Sequence, residues 1–120
     1  MRSIKSDNVI FVDVDNTLIK WTPDSATQEE VLIHCPYSDD TERVYLIERH
    51  IKLVKKLHGQ GRFIVLWSNS GYRWVEKVVE ALELEDSVDL IMSKPEVYLD
   101  DHEVFNHLRN IYIKGDSYGT

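Results

Sequence analysis

The chain has 120 residues, 42% of them hydrophobic, with 21 acidic against 14 basic side chains and a formal net charge of −7. This length supplies one hydrophobic core of ordinary size and reads as a single domain over residues 1–120. The acidic balance disfavours a nonspecific polyanion binder, so nucleic-acid binding is not expected, and the single cysteine, Cys35, excludes an internal disulfide and a thiolate zinc cluster.

Val9-Ile10-Phe11-Val12 is apolar at every position and predicts a short strand buried on both faces, as parallel sheets require. It runs directly into Asp13-Val14-Asp15-Asn16-Thr17, which carries two carboxylates two residues apart. Like charges about 4 Å apart repel by roughly 4 kcal/mol near a protein surface. A folded chain keeps such a pair by binding a cation, sharing a proton or accepting hydrogen bonds, and a divalent metal is the simplest resolution.

Pro23 and the polar run Asp24-Ser25-Ala26-Thr27 read as loop. Val31-Leu32-Ile33 and Val44-Tyr45-Leu46 flank the turn-forming Pro36-Tyr37-Ser38-Asp39-Asp40 and predict a β-hairpin lying over the strand ends. From Ile47 the period changes: Ile47, Ile51, Val54 and Leu57 share a helical face, with Gly59 and Gly61 placed to stop the helix. Phe63-Ile64-Val65-Leu66-Trp67 predicts a second doubly buried strand ending at Ser68, and Val75, Val78, Val79 and Leu82 follow an amphipathic helical pattern. Val88-Asp89-Leu90-Ile91-Met92 and Val97-Tyr98-Leu99 predict third and fourth strands, separated only by Ser93-Lys94-Pro95-Glu96. Residues 102–120 form a short polar and aromatic tail with no assigned place.

This alternation predicts an α/β fold: a mostly parallel, Rossmann-like sheet with right-handed crossovers, flanked by helices, with a hairpin flap after the first strand. Ligands of such sheets sit outside the carboxyl ends of the strands. Asp13, Asp15, Ser68, Asn69, Lys94, Asp100 and Asp101 all fall at or just beyond those ends, which suggests a metal-dependent phosphoryl-transfer site.

Asp13-Val14-Asp15-Asn16-Thr17 resembles the DxDx[TV] first motif of the haloacid dehalogenase superfamily, and Leu66-Trp67-Ser68-Asn69 resembles its second, a strand ending in Ser or Thr. Lys94-Pro95 is similar to the third motif and Asp100-Asp101 to the acidic fourth. The four stand in family order across roughly residues 9–101. The resemblance implies that Asp13 is the nucleophile forming an aspartyl-phosphate and that Asp15 is the general acid and base. It implies that Ser68 and the Asn69 amide bind the phosphoryl oxygens and that Lys94 balances their charge. It implies Mg²⁺ as cofactor, held by Asp13, the Asp15 backbone carbonyl and the Asp100-Asp101 pair, with Asp101 direct and Asp100 through water. Thr17 steadies the loop after the strand.

Each residue alone has a plainer explanation. Asp15-Asn16 is turn chemistry, Ser68-Asn69-Ser70 caps the following helix, Lys94 is a solvated loop lysine and Asp100-Asp101 a surface turn. Only their order and common location favour a site. His34, His50, His58, His102 and His107 lack zinc-ligand spacing, Cys35 reads as a small packing residue or an unreactive surface thiol, the rings of Trp67 and Trp74 as packing, and Tyr72 and Arg73 as a solvated face, with lining of the substrate mouth as the alternative.

Two departures stand out. About 50 residues separate the first motif from Ser68, enough for a hairpin flap and one helix but not for a large cap domain, so the site is expected to be open. Lys94 lies only six residues before Asp100, on a short loop instead of a full helix. An open mouth suits a bulky substrate or a neighbouring subunit of a homo-oligomer.

The expectation is a capless, Mg²⁺-dependent phosphatase acting on a small-molecule or macromolecular phosphomonoester. Residues 1–7 show no apolar signal region and no run reaches the roughly 20 residues of a membrane span, so no membrane partner is expected and the cytoplasm is the default compartment. A two-component receiver domain shares the length, the acidic pair and a late Lys-Pro. It needs its phospho-accepting Asp at the end of a middle strand, where this chain has Ser68-Asn69. A catalytically silent binding module is the third reading.

Overall fold

The computed structural model describes residues 8–103, 108–114 and 117–118. In chain order the elements are β1 (Val9–Asp13), β2 (Ile19–Lys20), β3 (Glu30–His34), β4 (Thr41–Leu46), α1 (Glu48–Gly59), β5 (Phe63–Ser68), α2 (Tyr72–Ala81), a 3-10 turn (Glu85–Ser87), β6 (Leu90–Ser93), β7 (Ile113–Lys114) and β8 (Ser117–Tyr118). β1, β5 and β6 form a parallel sheet in that order, with Asp13 level with Trp67 and Ser68 level with Ser93. The fold is α/β, and its parallel sheet is joined by a separate antiparallel sheet, β2-β4-β3.

The doubly apolar runs at 9–12 and 63–67 became adjacent parallel strands, and the hairpin read at 31–46 is present as β3 paired with β4 from Glu30–Tyr45 to His34–Thr41. β2 escaped the sequence reading because two residues carry no periodicity; it adds to β4 through Ile19–Leu46 and Lys20–Tyr45. β6 starts at Leu90 and not at Val88. At the preceding residue Asp89 the side chain accepts the Ile64 N–H at 2.8 Å, in place of a backbone carbonyl.

Both helices formed where the 3.6-residue period placed them. Ile51 and Val54 of α1 and Val75, Val78 and Val79 of α2 are buried, and they pack with Ile64 and Leu66 of β5 and with Ile33, Val44 and Leu46 of the antiparallel sheet. Gly61, at φ 89°, takes the left-handed conformation that ends the α1 connection. Strand alternation assigns Ile10, Val12, Ile64, Leu66 and Ile91 to the core face, because these are the sheet residues packed into or against the core cluster. The opposite face carries Phe11 and Leu90, both exposed.

The sheet was expected to be flanked by helices on its faces; both helices instead pack on one. The strand order advances β1-β5-β6 in a single direction, and successive right-handed crossovers in one direction fall on the same side. The predicted fourth strand is a second correction. Val97-Tyr98-Leu99 has no regular structure, and Val97 and Leu99 are 77% and 98% exposed. The three residues between β6 and Val97 cannot span a parallel crossover, which needs a dozen or more, so an apolar triplet there finds no neighbour to pair with.

Of the tail left unassigned, Ile113–Lys114 and Ser117–Tyr118 pair as a small antiparallel ladder. Residues 104–107, 115–116 and 119–120 lie outside the described residues, as do residues 1–7, where the absence of a signal region was read. Among the described residues no helix is long and apolar enough to cross a membrane.

Candidate phosphoryl-transfer site

Val14 is fully buried, and Asp13, the last residue of β1, falls by strand alternation on the opposite side from the core. The chain then turns sharply. Asn16 takes φ 64°, a left-handed conformation that Asn tolerates better than most residues, and the Thr17 and Leu18 N–H groups both donate to the Val14 carbonyl at 3.1 and 2.8 Å. This turn carries Thr17 back over the strand end, where its hydroxyl donates to Asp13 Oδ2 at 3.0 Å. The local steadying role read for Thr17 is therefore a bond to the candidate nucleophile itself.

Lys94 approaches from the far side of the sheet. Its backbone N–H donates to the Ser68 carbonyl at 2.9 Å, extending the β5–β6 pairing by one residue, and its Nζ stands 3.4 Å from Asp13 Oδ1 and 5.8 Å from the Trp67 ring centroid. The short loop thus delivers the lysine without a helix. The side chains are about a third exposed, and a pair in such a setting adds only about 0–1 kcal/mol to stability. Its significance is the placing of a cation beside a carboxylate.

Asp15 is held more firmly. Ser68 Oγ and Ser70 Oγ donate to its Oδ2 at 3.1 and 2.7 Å, and the Trp74 indole N–H donates to Oδ1 at 2.8 Å. Ser68 is buried and also accepts the Ser70 backbone N–H at 2.9 Å. A hydroxyl has one proton to give. Ser68, read as a donor to phosphoryl oxygens, directs that proton at Asp15 in this structure. Among the described residues the Asn69 N–H has no hydrogen-bond acceptor.

Ser70 and Trp74 were missed as site residues, Ser70 having been read as a cap and Trp74 as packing. A signal existed for the second: a buried indole N–H needs an acceptor, and Trp74, buried and stacked on Trp21 at 6.2 Å and 20°, lies one turn into the helix that follows Ser68.

The structure does not gather all four acidic residues read as metal-binding. Among the described residues the group of three ligating side chains within 4.8 Å of one another is Asp100, Asp101 and His102, all exposed, and neither Asp13 nor Asp15 belongs to it. His102 donates its N–H to Asp100 Oδ1 at 3.0 Å, and its Nδ1 lies 2.8 Å from Asp101 Oδ1. The Tyr98 hydroxyl donates to Asp100 Oδ2 at 2.9 Å; partial burial first, and this bond second, push its pKa above the ordinary tyrosine value. Asp13 suits a hard divalent cation, being a half-exposed carboxylate at the mouth. The Asp15 side chain does not, since both its oxygens already take donors.

No protein-family model, curated protein or solved structure matches this chain.

Proposed function

We propose that the chain is a phosphomonoester hydrolase of haloacid dehalogenase type, with a Rossmann-like parallel sheet and an aspartyl-phosphate intermediate on Asp13. The observation that carries this reading is convergence: Lys94 and Asp13, 81 positions apart, meet at 3.4 Å, and Ser68 and Asp15, 53 positions apart, meet at 3.1 Å, all at the carboxyl ends of adjacent parallel strands. Separated polar residues gathered at that end of a sheet make a ligand site by the general rule for open α/β sheets.

In the proposed reaction Asp13 attacks phosphorus, an Asp13 O–P bond forms, and the bond to the leaving oxygen breaks. Lys94 offsets the charge of Asp13 and of the phosphoryl oxygens, and the Asn69 amide supplies a donor to them. Asp15 gives a proton to the leaving oxygen, then takes one from the water that attacks phosphorus, which releases inorganic phosphate and restores Asp13. A phosphoryl oxygen that draws the Ser68 proton away from Asp15 leaves Oδ2 with Ser70 alone, so substrate arrival loosens the acid for its task. Mg²⁺ would be held by Asp13 and the Asp15 backbone carbonyl, with Asp101 directly and Asp100 through water as further ligands once their cluster, which does not include Asp13, is drawn to the ion, and it would supply the charge neutralisation that lets one anion approach another.

The firm hold on Asp15 favours one alternative, a module that binds phosphate without turning over. Incubation with an aryl phosphate and Mg²⁺ separates the two. Metal-dependent release of phosphate that is lost with EDTA and in Asp13→Asn supports the hydrolase; binding without release, with no phosphorylated Asp13 by mass spectrometry, replaces it with the module. The same reading sets the protein in the cytoplasm, with the open mouth covered by the substrate or by a second copy.

A further inference from the structure

The tip of the β3–β4 hairpin reaches the mouth of the site. A Cβ built at Gly71 would collide with the Tyr37 hydroxyl, and Ser93 Oγ lies 3.8 Å from the same point. Gly71 stands at φ 95°, directly before α2 and three residues after Ser68, to whose carbonyl its N–H donates at 3.2 Å. Only glycine meets both demands, the left-handed backbone and the close approach of a phenol. Tyr37 is thereby seated at a specified place although 57% of it is exposed.

Two further side chains share that place. Tyr72, 48% exposed, donates its backbone N–H to Ser93 Oγ at 2.9 Å, and the Arg73 guanidinium stands 5.8 Å over the Tyr72 ring. The Arg73 guanidinium also donates to the Tyr72 hydroxyl at 3.3 Å, a bond that raises the Arg73 pKa and ties the cation to that phenol. Exposed aromatics scattered singly need no explanation. Here two tyrosines and an arginine collect beside the backbone that joins Ser68 to α2, and one of them is wedged there by a glycine.

We propose, building on the hydrolase reading, that Tyr37, Tyr72 and Arg73 form the leaving-group subsite and select phosphomonoesters whose leaving group carries a planar ring, with nucleoside monophosphates as the natural class. An aromatic face and a guanidinium plane stack on any nucleobase without reading its sequence. The net charge of −7 favours a mononucleotide over a nucleic-acid strand, which would need a basic track.

The test compares adenosine 5′-monophosphate with glycerol phosphate, which carries the same phosphoryl group on a non-planar chain. The expected kcat/KM ratio favours the nucleotide by about tenfold or more, the size of one base–aromatic stack. Tyr37→Ala collapses that ratio toward one, mainly through KM, and Tyr37→Phe retains it. Equal kcat/KM for the two substrates, or a ratio unchanged in Tyr37→Ala, overturns the subsite and leaves the hydrolase intact. If neither compound is hydrolysed with Mg²⁺, equilibrium dialysis decides the subsite alone, and the hydrolase reading fails only where the aryl phosphate is not hydrolysed either. Nucleotide binding tighter than glycerol phosphate binding and weakened about tenfold in Tyr37→Ala upholds it, and equal binding overturns it.

Discussion

Two acidic groups were expected to share one site in this molecule, and they are built in opposite ways. Asp13 and Asp15 are tied to residues far along the chain, Lys94 to the first and Ser68, Ser70 and Trp74 to the second. Asp100 and Asp101 are tied to each other's neighbours, Tyr98 and His102. The first arrangement exists only when the sheet is assembled. The bonds described for the second run between residues 98 and 102, and exposed acidic turns of this kind are ordinary surface features. Long-range convergence is therefore the stronger sign of a site, and a carboxylate cluster of sequence neighbours the weaker.

The sharpest way to break that contrast is to remove the proposed nucleophile. Asp13→Asn should lower hydrolysis of an aryl phosphate by about three orders of magnitude or more, since in the proposed reaction no other group makes the covalent bond. Asp13 is only partly buried, so the far-ultraviolet circular dichroism should stay native. Wild-type turnover in this variant would reject the assignment of Asp13.

Asp15→Asn should cost about 10²–10⁴-fold in turnover, the usual worth of general acid–base catalysis. Because Asp13 remains, phosphorylated protein should accumulate and be seen as a mass increase on the Asp13 peptide. Lys94→Met should follow, at about 10²–10³-fold in kcat, as expected for the loss of one fixed electrostatic donor. A Lys94→Met enzyme with an unaltered kcat would show that the 3.4 Å pairing with Asp13 is only a surface ion pair.

Asp101→Asn tests the second group directly. If Asp101 is a metal ligand, the Mg²⁺ concentration for half-maximal activity should rise about tenfold or more, the scale on which lost metal-site contacts weaken binding. An unchanged Mg²⁺ titration would mark Asp100-Asp101-His102 as a local cluster and leave the cation to Asp13.

How much of this was legible in the chain follows the same division. Val9–Val12 and Phe63–Trp67 could be read as strands because uninterrupted apolar runs have one structural use in an α/β protein, and α1 and α2 because their buried positions repeat every 3.6 residues. The end of each strand was legible too, since Asp13 and Ser68 are where polarity begins. Val97-Tyr98-Leu99 misled because strand composition says nothing of whether a partner is in reach. Ser70 was invisible as a site residue because its bond to Asp15 crosses 55 positions, a distance no local pattern spans, whereas Trp74 signalled only that its indole N–H needs an acceptor and not that the acceptor is Asp15, 59 positions away.

The smallest effect, in Trp74→Phe, distinguishes holding from catalysis. Phenylalanine keeps an aromatic ring near Trp21 but removes the indole N–H that donates to Asp15 Oδ1 at 2.8 Å. A buried hydrogen bond to a charged group is worth about 1.5–3 kcal/mol, and Asp15 retains its two serine donors on Oδ2, which argues for the lower part of that range. For a domain of this size the loss corresponds to a fall in Tm of roughly 5–10 °C. Turnover should drop far less than in Asp15→Asn, because the carboxyl group itself is still there to move the proton. If Tm and turnover both match the wild type, the indole does not hold Asp15, and the acid is positioned by the serines alone. If turnover falls as far as in Asp15→Asn while Tm is unchanged, the indole acts in the reaction and not in the scaffold, and the line drawn between the residues that perform the chemistry and those that orient them would have to move to include α2.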